Sequence, residues 1–323
     1  MFNNDKPTIL ISKCIEGDAC RYDGSMIKDS FVNKLKSYVN VIEVCPEAQI
    51  GLSTPRDSLR LIQNNNEVSL VCSKTGEDLT NRMTEFSNRF LESLDKSKIQ
   101  GVILKGRSPS CGIKDVKLYN NIGKSSTINR SNSGIFAQRL IEEFDTIPIE
   151  DEGRLTNYNI REKFLTWMYA NYNFNKVEEN KSVSALVKFQ SQYKYLLMAY
   201  SPSRQKELGK IVGSATKANL DDSIREYKLV LAKALSTSQR PMRNINMLLH
   251  LFGYFSKDLS KEEKSFFLDT LEKYQNKKVP FSLPLTIIKS WAIRFNNEYL
   301  LEQKIFESFP IELVEVTDSG KGI

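Results

Sequence analysis

Over the first half of the chain, short β-branched and aliphatic runs alternate with stretches of three- and four-residue apolar spacing; beyond residue 157 helical spacing continues alone. Thr8–Ser12, Val39–Val44, Glu67–Cys72 and Gly101–Lys105 read as strands, and Thr146–Glu150 as extended. Ser30–Tyr38, Thr80–Leu94 and Gly134–Phe144 read as helices. In Thr80–Leu94, for example, Met83, Phe86, Phe90, Leu91 and Leu94 recur on one face behind a cap at Thr80 or Asn81. Such alternation predicts βαβ units and an α/β fold with a mostly parallel open sheet, Rossmann-like in kind. The polar, Gly-containing segment Asp151–Asn157 then marks a junction. The expected organisation is an α/β domain over residues 1–156 and an all-α domain over residues 157–323. Helices of the second domain are expected at Asn159–Tyr172, Ser184–Ala199, Ser201–Ala215, Leu220–Leu235, Arg240–Phe255, Ser260–Asn276 and Pro284–Phe295.

Charge sharpens the division. The chain has 323 residues and a formal net charge of +7. Residues 1–150 carry 20 basic against 19 acidic side chains, and residues 151–323 carry 26 against 20. The basic excess reads first as a solvated Lys-rich surface and second as a helical domain able to contact RNA. No stretch approaches the roughly 18 consecutive apolar residues of a membrane helix, and Met1–Lys6 lacks a signal-peptide profile, so the expected location is the cytoplasm, without a membrane partner. Thiols stay reduced there, and cysteines are read as ligands, catalytic groups or core residues.

All five cysteines lie at or before Cys111, and three of them follow expected strands: Cys14 after Thr8–Ser12, Cys45 after Val39–Val44 and Cys111 after Gly101–Lys105. If those strands are parallel neighbours, the three thiols meet in the crevice beyond their carboxyl ends, where open α/β sheets bind ligands. The pattern predicts a three-thiolate metal site with one position open. Gly and Pro punctuate all three loops, and Arg21, Arg56, Lys105 and Arg107 stand among them, suited to stabilise thiolates, a cluster's negative charge or an anionic substrate. Cys72 reads as a core residue and Cys20 as a neighbour of the thiol site. His250, Tyr193, Tyr195 and Tyr200 read as helix packing. No Walker loop or Gly-x-Gly-x-x-Gly segment occurs, which argues against a nucleotide-hydrolysing or dinucleotide enzyme. Two other classes remain open: a zinc hydrolase with three Cys ligands, and a redox-sensing or RNA-binding module without turnover.

The segments Cys14…Arg21-Tyr22-Asp23-Gly24, Cys45-Pro46-Glu47…Gly51-Leu52…Pro55-Arg56 and Leu104-Lys105…Ser108-Pro109-Ser110-Cys111-Gly112 resemble the thiouracil desulfidase family over about residues 6–156. The resemblance implies a 4Fe-4S cluster on Cys14, Cys45 and Cys111 with the fourth iron open. It also implies Glu47 as the catalytic acid/base and Ser108, ahead of Ser110, as the catalytic serine. Ser110, Arg21, Lys105 and Arg107 are the candidate substrate contacts. The implied reaction is non-redox hydrolysis of a thiopyrimidine or thionucleotide to a uracil-type product and hydrogen sulfide. In the second half, Lys188-Phe189…Lys194–Pro202, His250–Phe255 and Val279-Pro280…Pro284-Leu285-Thr286 resemble the YbgA-like helical domain, whose role is not established. Gln190, Tyr193 and Tyr200 stand where histidines are common in that domain, which puts any metal or acid/base role of this region in doubt.

Overall fold

Four strands build the first sheet: β1 (Thr8–Ser12), β2 (Asn40–Val44), β5 (Ile99–Leu104) and β8 (Ile149–Asp151), in the order β2-β1-β5-β8 and all parallel. β1 and β5 are buried along their whole length, as expected of strands covered on both faces. A second sheet has the order β4-β3-β6-β7, from β3 (Leu59–Asn64), β4 (Glu67–Cys72), β6 (Val116–Tyr119) and β7 (Thr127–Asn132). Its central pair β3–β6 is parallel, and the flanking pairs β3–β4 and β6–β7 are antiparallel. The structure is a computed structural model that describes residues 6–64, 67–123 and 125–317.

The mostly parallel α/β region and the many-helix region that follows are both present. The elements read from the sequence recur with ends moved by a few residues, except that the helix expected at Asn159–Tyr172 runs on to Asn180. The second sheet was legible only at β4, since β6 has four residues and β7, Thr-Ile-Asn-Arg-Ser-Asn, has no buried residue.

The chain divides into two compact units, one of residues 1–172 with 312–323 and one of residues 173–311. The expected junction at residue 157 precedes the long helix α6 (Tyr158–Asn180), which contributes residues to both. In the first unit the remaining helices are α1 (Ser30–Leu35), α2 (Pro46–Gln49), α3 (Thr80–Ser93), α4 (Ile135–Glu143) and α5 (Glu152–Leu155). One core joins Leu10, Val44, Val102 and Leu104 of the first sheet to Leu61, Leu70, Val116 and Leu118 of the second, with Met83 and Phe86 of α3 and Phe136 and Leu140 of α4. Cys111 is a member of that core, so the thiol loop is anchored from inside.

The second unit contains α7 (Val183–Tyr200), α8 (Pro202–Ser214), α9 (Leu220–Leu235), α10 (Pro241–Phe252), α11 (Lys261–Gln275), α12 (Ser282–Arg294) and the short α13 (Glu298–Leu301). Its centre is aromatic: Phe189 stacks on Tyr193 at 4.1 Å between ring centroids, and Phe174 on Tyr227 at 5.1 Å. Tyr193 accepts a hydrogen bond from Asn173, and the Tyr227 hydroxyl donates to Gln190, so buried hydroxyls are matched with amides. Tyr193, Tyr195 and Tyr200 are buried in helix packing, as the spacing predicts. His250 corrects the expectation: it lies on the exposed side of α10, whose core positions are Asn244, Met247, Leu248 and Leu251. No helix among the described residues is long and apolar enough to cross a membrane.

Candidate active site

In the first sheet the chain moves from β1 to β2 on one side and returns to β5 on the other, so the strand order reverses between β1 and β5. Such a switch point opens a crevice at the carboxyl edge. Cys14 leaves β1 two residues beyond its end, Cys45 follows β2 directly, and the loop 105–112 leads from β5 to Cys111. The strand ends are tied together: Lys13 N–H donates to Val44 O at 2.8 Å, and Lys105 N–H donates to the Ser12 hydroxyl at 2.9 Å. Ser12, a buried polar residue closing an otherwise apolar strand apart from Thr8 at its start, also hydrogen-bonds the Cys111 thiol.

The Cys14 thiol senses Cys45, and the Cys111 thiol senses both Cys14 and Cys45, so the three lie close together. Burial pushes the Cys14 thiol up to about 12, the charge of Cys45 adds to the rise, and Lys105 opposes it. Burial first, then the charges of Cys14, Glu47 and Cys45, raise Cys111 well above the ordinary thiol range. Cys20 is drawn in as well: burial and Cys45 push it up to about 12, and the Cys45 thiol stands 3.9 Å from the Cys20 carbonyl. Two buried thiols and the half-buried Cys14, which repel one another once ionised, need a soft cationic partner to be deprotonated together. Among the described residues, no three Cys, His, Asp or Glu side chains are spaced to hold a single metal ion. A cluster, in which each thiolate takes its own iron, spreads its donors more widely, and an all-thiol donor set suits iron and sulfide.

Glu47 lies in the first turn of α2, behind Pro46 at its opening position. Arg56 donates to its Oε2 from Nε at 2.8 Å and stands 2.6 Å away through Nη2, while Ser110 donates from Oγ to its Oε1 at 2.8 Å. The carboxylate is 13% exposed and the guanidinium 6%, so this is a sheltered pair whose geometry is held from two segments. Arg56 also donates to the Cys20 carbonyl at 3.0 Å, which fixes the loop beside Cys45. The sequence suggested Arg56 as a stabiliser of thiolates; its first partner is Glu47.

The two serines have different settings. Ser108 Oγ accepts from the backbone N–H of Ser110 at 3.2 Å and of Cys111 at 3.1 Å, shaping the turn that presents the third thiol. Ser110 is fully buried and is the serine that holds Glu47. The same turn is clamped by the start of α4: Gly134 N–H donates to Gly112 O at 2.7 Å and Ala137 N–H to Ser110 O at 3.0 Å. A Cβ on Gly134 would lie 2.5 Å from the Ser110 carbonyl, so only glycine permits that approach.

Lys105 ion-pairs with Glu152 at 2.5 Å, and Glu152 also accepts from Gly106 N–H at 2.7 Å. Glu152, just beyond β8, was not singled out from the sequence; its pairing is made only by the β5–β8 alignment. Arg21 turns to its own loop, donating to Ser25 Oγ at 2.8 Å and lying over the Tyr22 ring. Arg107, at a positive φ of 61°, lines a cavity on the second sheet.

The family model for 2-thiouracil desulfurase matches residues 9–152, and a protein family of unknown function, DUF1722, matches residues 194–310. The uncharacterized protein YbbK of Bacillus subtilis (strain 168) is 35% identical over 109 residues, which cover 32% of this chain and 72% of YbbK. The uncharacterized protein YbgA of Escherichia coli (strain K12) is 27% identical over 144 residues, 44% of this chain and 85% of YbgA. Among solved structures, a [4Fe-4S]-dependent thiouracil desulfidase, TudS, is 26% identical with a TM-score of 0.38, over 46% of this chain and 93% of TudS.

Proposed function

Since the chain belongs to the 2-thiouracil desulfurase family through its N-terminal region, we propose that it is a desulfidase that hydrolyses the thiocarbonyl of a thiolated pyrimidine to a uracil-type product and hydrogen sulfide. In this reading Cys14, Cys45 and Cys111 hold a 4Fe-4S cluster with one open iron. One observation carries it: Cys14, Cys45 and Cys111 follow three neighbouring strands beyond the switch point of the sheet, where Cys111 senses the charges of Cys14, Cys45 and the doubly held Glu47. When bound, the cluster supplies a Lewis acid suited to a soft sulfur donor.

The chain's own residues do the rest. Glu47 accepts the proton of the attacking water. Arg56 and Ser110 fix its two oxygens; Oε2 takes both Nε and Nη2 of Arg56, and Oε1, which accepts from Ser110, keeps a lone pair for that water. Ser108 already accepts two N–H bonds, so its hydroxyl proton remains available to donate to the pyrimidine ring. Lys105, held by Glu152, keeps a positive charge near Cys14 and favours its thiolate. An oxygen-sensitive cluster on thiolate ligands suits a reducing compartment, and the reading places the protein in the cytoplasm.

The test is anaerobic reconstitution with iron and sulfide, followed by the thiocarbonyl absorbance of 2-thiouracil, 4-thiouracil and 4-thiouridine monophosphate. Loss of the band with release of sulfide is expected, absent in Cys111→Ala. Glu47→Gln should keep the cluster absorbance and lose turnover by at least about 100-fold. An intact band in a fully loaded wild-type protein would overturn the reading.

A further inference from the structure

The second sheet carries a cavity of about 630 Å³ that none of the three candidate cluster cysteines, Glu47 or Ser110 lines. Arg60, Lys117 and Arg130 line it from β3, β6 and β7, and Arg107 lines it from the 105–112 loop. The register explains the grouping. Leu61 and Ile62 pair with Leu118 and Tyr119, which sets Arg60 beside Lys117. The irregular step between the pairs Val116–Asn132 and Leu118–Asn129 sets Arg130 across from Lys117. Three like charges in a row over adjacent strands destabilise a sheet, and among the described residues Asp115 is the sole carboxylate residue lining the cavity. Among the described residues, none of these four cations is ion-paired with a carboxylate. Arg60 is held in place, its guanidinium 4.8 Å from the Tyr119 ring centroid and donating to Gly123 O at 2.5 Å.

We propose that this cavity is a phosphate-binding site in which Arg60, Lys117, Arg130 and Arg107 hold the phosphate group of an organic phosphate. The excess of positive charge calls for an anion, and guanidinium groups are suited to bind phosphate oxygens in pairs. The volume lies in the range of small-molecule sites and exceeds what a phosphate ion alone fills, which favours an ester over the free ion.

Calorimetric titration of the full chain with ribose 5-phosphate, inorganic phosphate and ribose tests the site. Ribose 5-phosphate should bind, ribose should not, and the affinity should fall as salt is raised. Arg60→Ala/Arg130→Ala should weaken binding by at least about tenfold. Arg130→Glu, on an exposed edge strand, should do the same with an unchanged melting midpoint. Tighter binding of ribose 5-phosphate than of phosphate identifies the ester as ligand, and equal binding identifies the free ion; both sustain the site. No binding, equal binding of ribose, or undiminished affinity in Arg130→Glu would overturn it. None of these readouts depends on a cluster or on turnover, so failure here leaves the desulfidase reading intact.

Discussion

Glu47 is held by two side chains that the sequence places 9 and 63 residues away, Arg56 on one oxygen and Ser110 on the other. Ser110 is fully buried, so its hydroxyl has no water to fall back on. Ser110→Ala is therefore expected to lower unfolding stability by about 1 kcal/mol, the net worth of one hydrogen bond. It should also reduce turnover while leaving the cluster absorbance in place. Denaturant unfolding and reconstituted turnover, measured on one preparation, check both; unchanged turnover would reduce Ser110 to a packing residue. The cysteines at the strand ends were legible in the sequence because a short apolar run followed by a Gly/Pro loop is a local signal. The partners of Glu47 were not, since only the fold brings residues 47, 56 and 110 together. Ser108 and Ser110 show the limit most plainly. They share one motif, yet one caps a turn through its lone pairs and the other donates to the carboxylate.

The long helix α6 contains an acidic side chain in an unfavourable setting. Glu162 is largely buried, its Oε1 has no hydrogen-bond partner among the described residues, and burial raises its pKa to about 7 against the opposing pull of Arg161. Tyr158, one turn earlier, senses its charge. The unfolded carboxyl titrates near 4.5, so between about pH 4.5 and 7 the folded chain retains a proton that the unfolded chain has released. Stability consequently falls as pH rises through that window; the penalty is absent below it and complete above it. Glu162→Gln keeps the shape and removes the charge. It should raise stability at pH 8 by roughly 1–2 kcal/mol, allowing for partial exposure, and change little near pH 4.5. Denaturant midpoints from pH 4.5 to 8 would show the flattened slope, and parallel curves for both proteins would refute it. Periodicity exposed α6 and most other helices because each repeats its apolar spacing for several turns. It missed β3, β6 and β7 because the first sits in a polar stretch and the others are too short or too exposed to alternate.

The first unit is not contiguous in sequence: residues 312–323 belong with residues 1–172. Arg161 shows what the returning segment supplies. Its side chain is buried, and it donates to Leu155 O and Thr156 O from one nitrogen and to Glu315 O and Thr317 O, both at 2.7 Å, from the other. Leu313 is fully buried as well, and Glu315 stands 3.8 Å from Lys34. No pattern in the sequence announced this return, because a few extended residues carry no period and their partners lie some 150 positions away. The consequence is that a cut at residue 157 would remove α6 and the returning segment together, and would confound loss of the helical region with damage to the α/β unit. Deleting residues 312–323 alone isolates the second effect. It leaves a buried guanidinium without two of its acceptors and uncovers the site of Leu313, at an expected cost of about 3 kcal/mol. The thermal transition of the α/β unit should shift downward, and Arg161→Ala in the truncated chain should recover part of the loss, since no buried guanidinium is then left without acceptors. A truncated chain that melts with the wild type would show that the returning segment contributes nothing to the unit's stability.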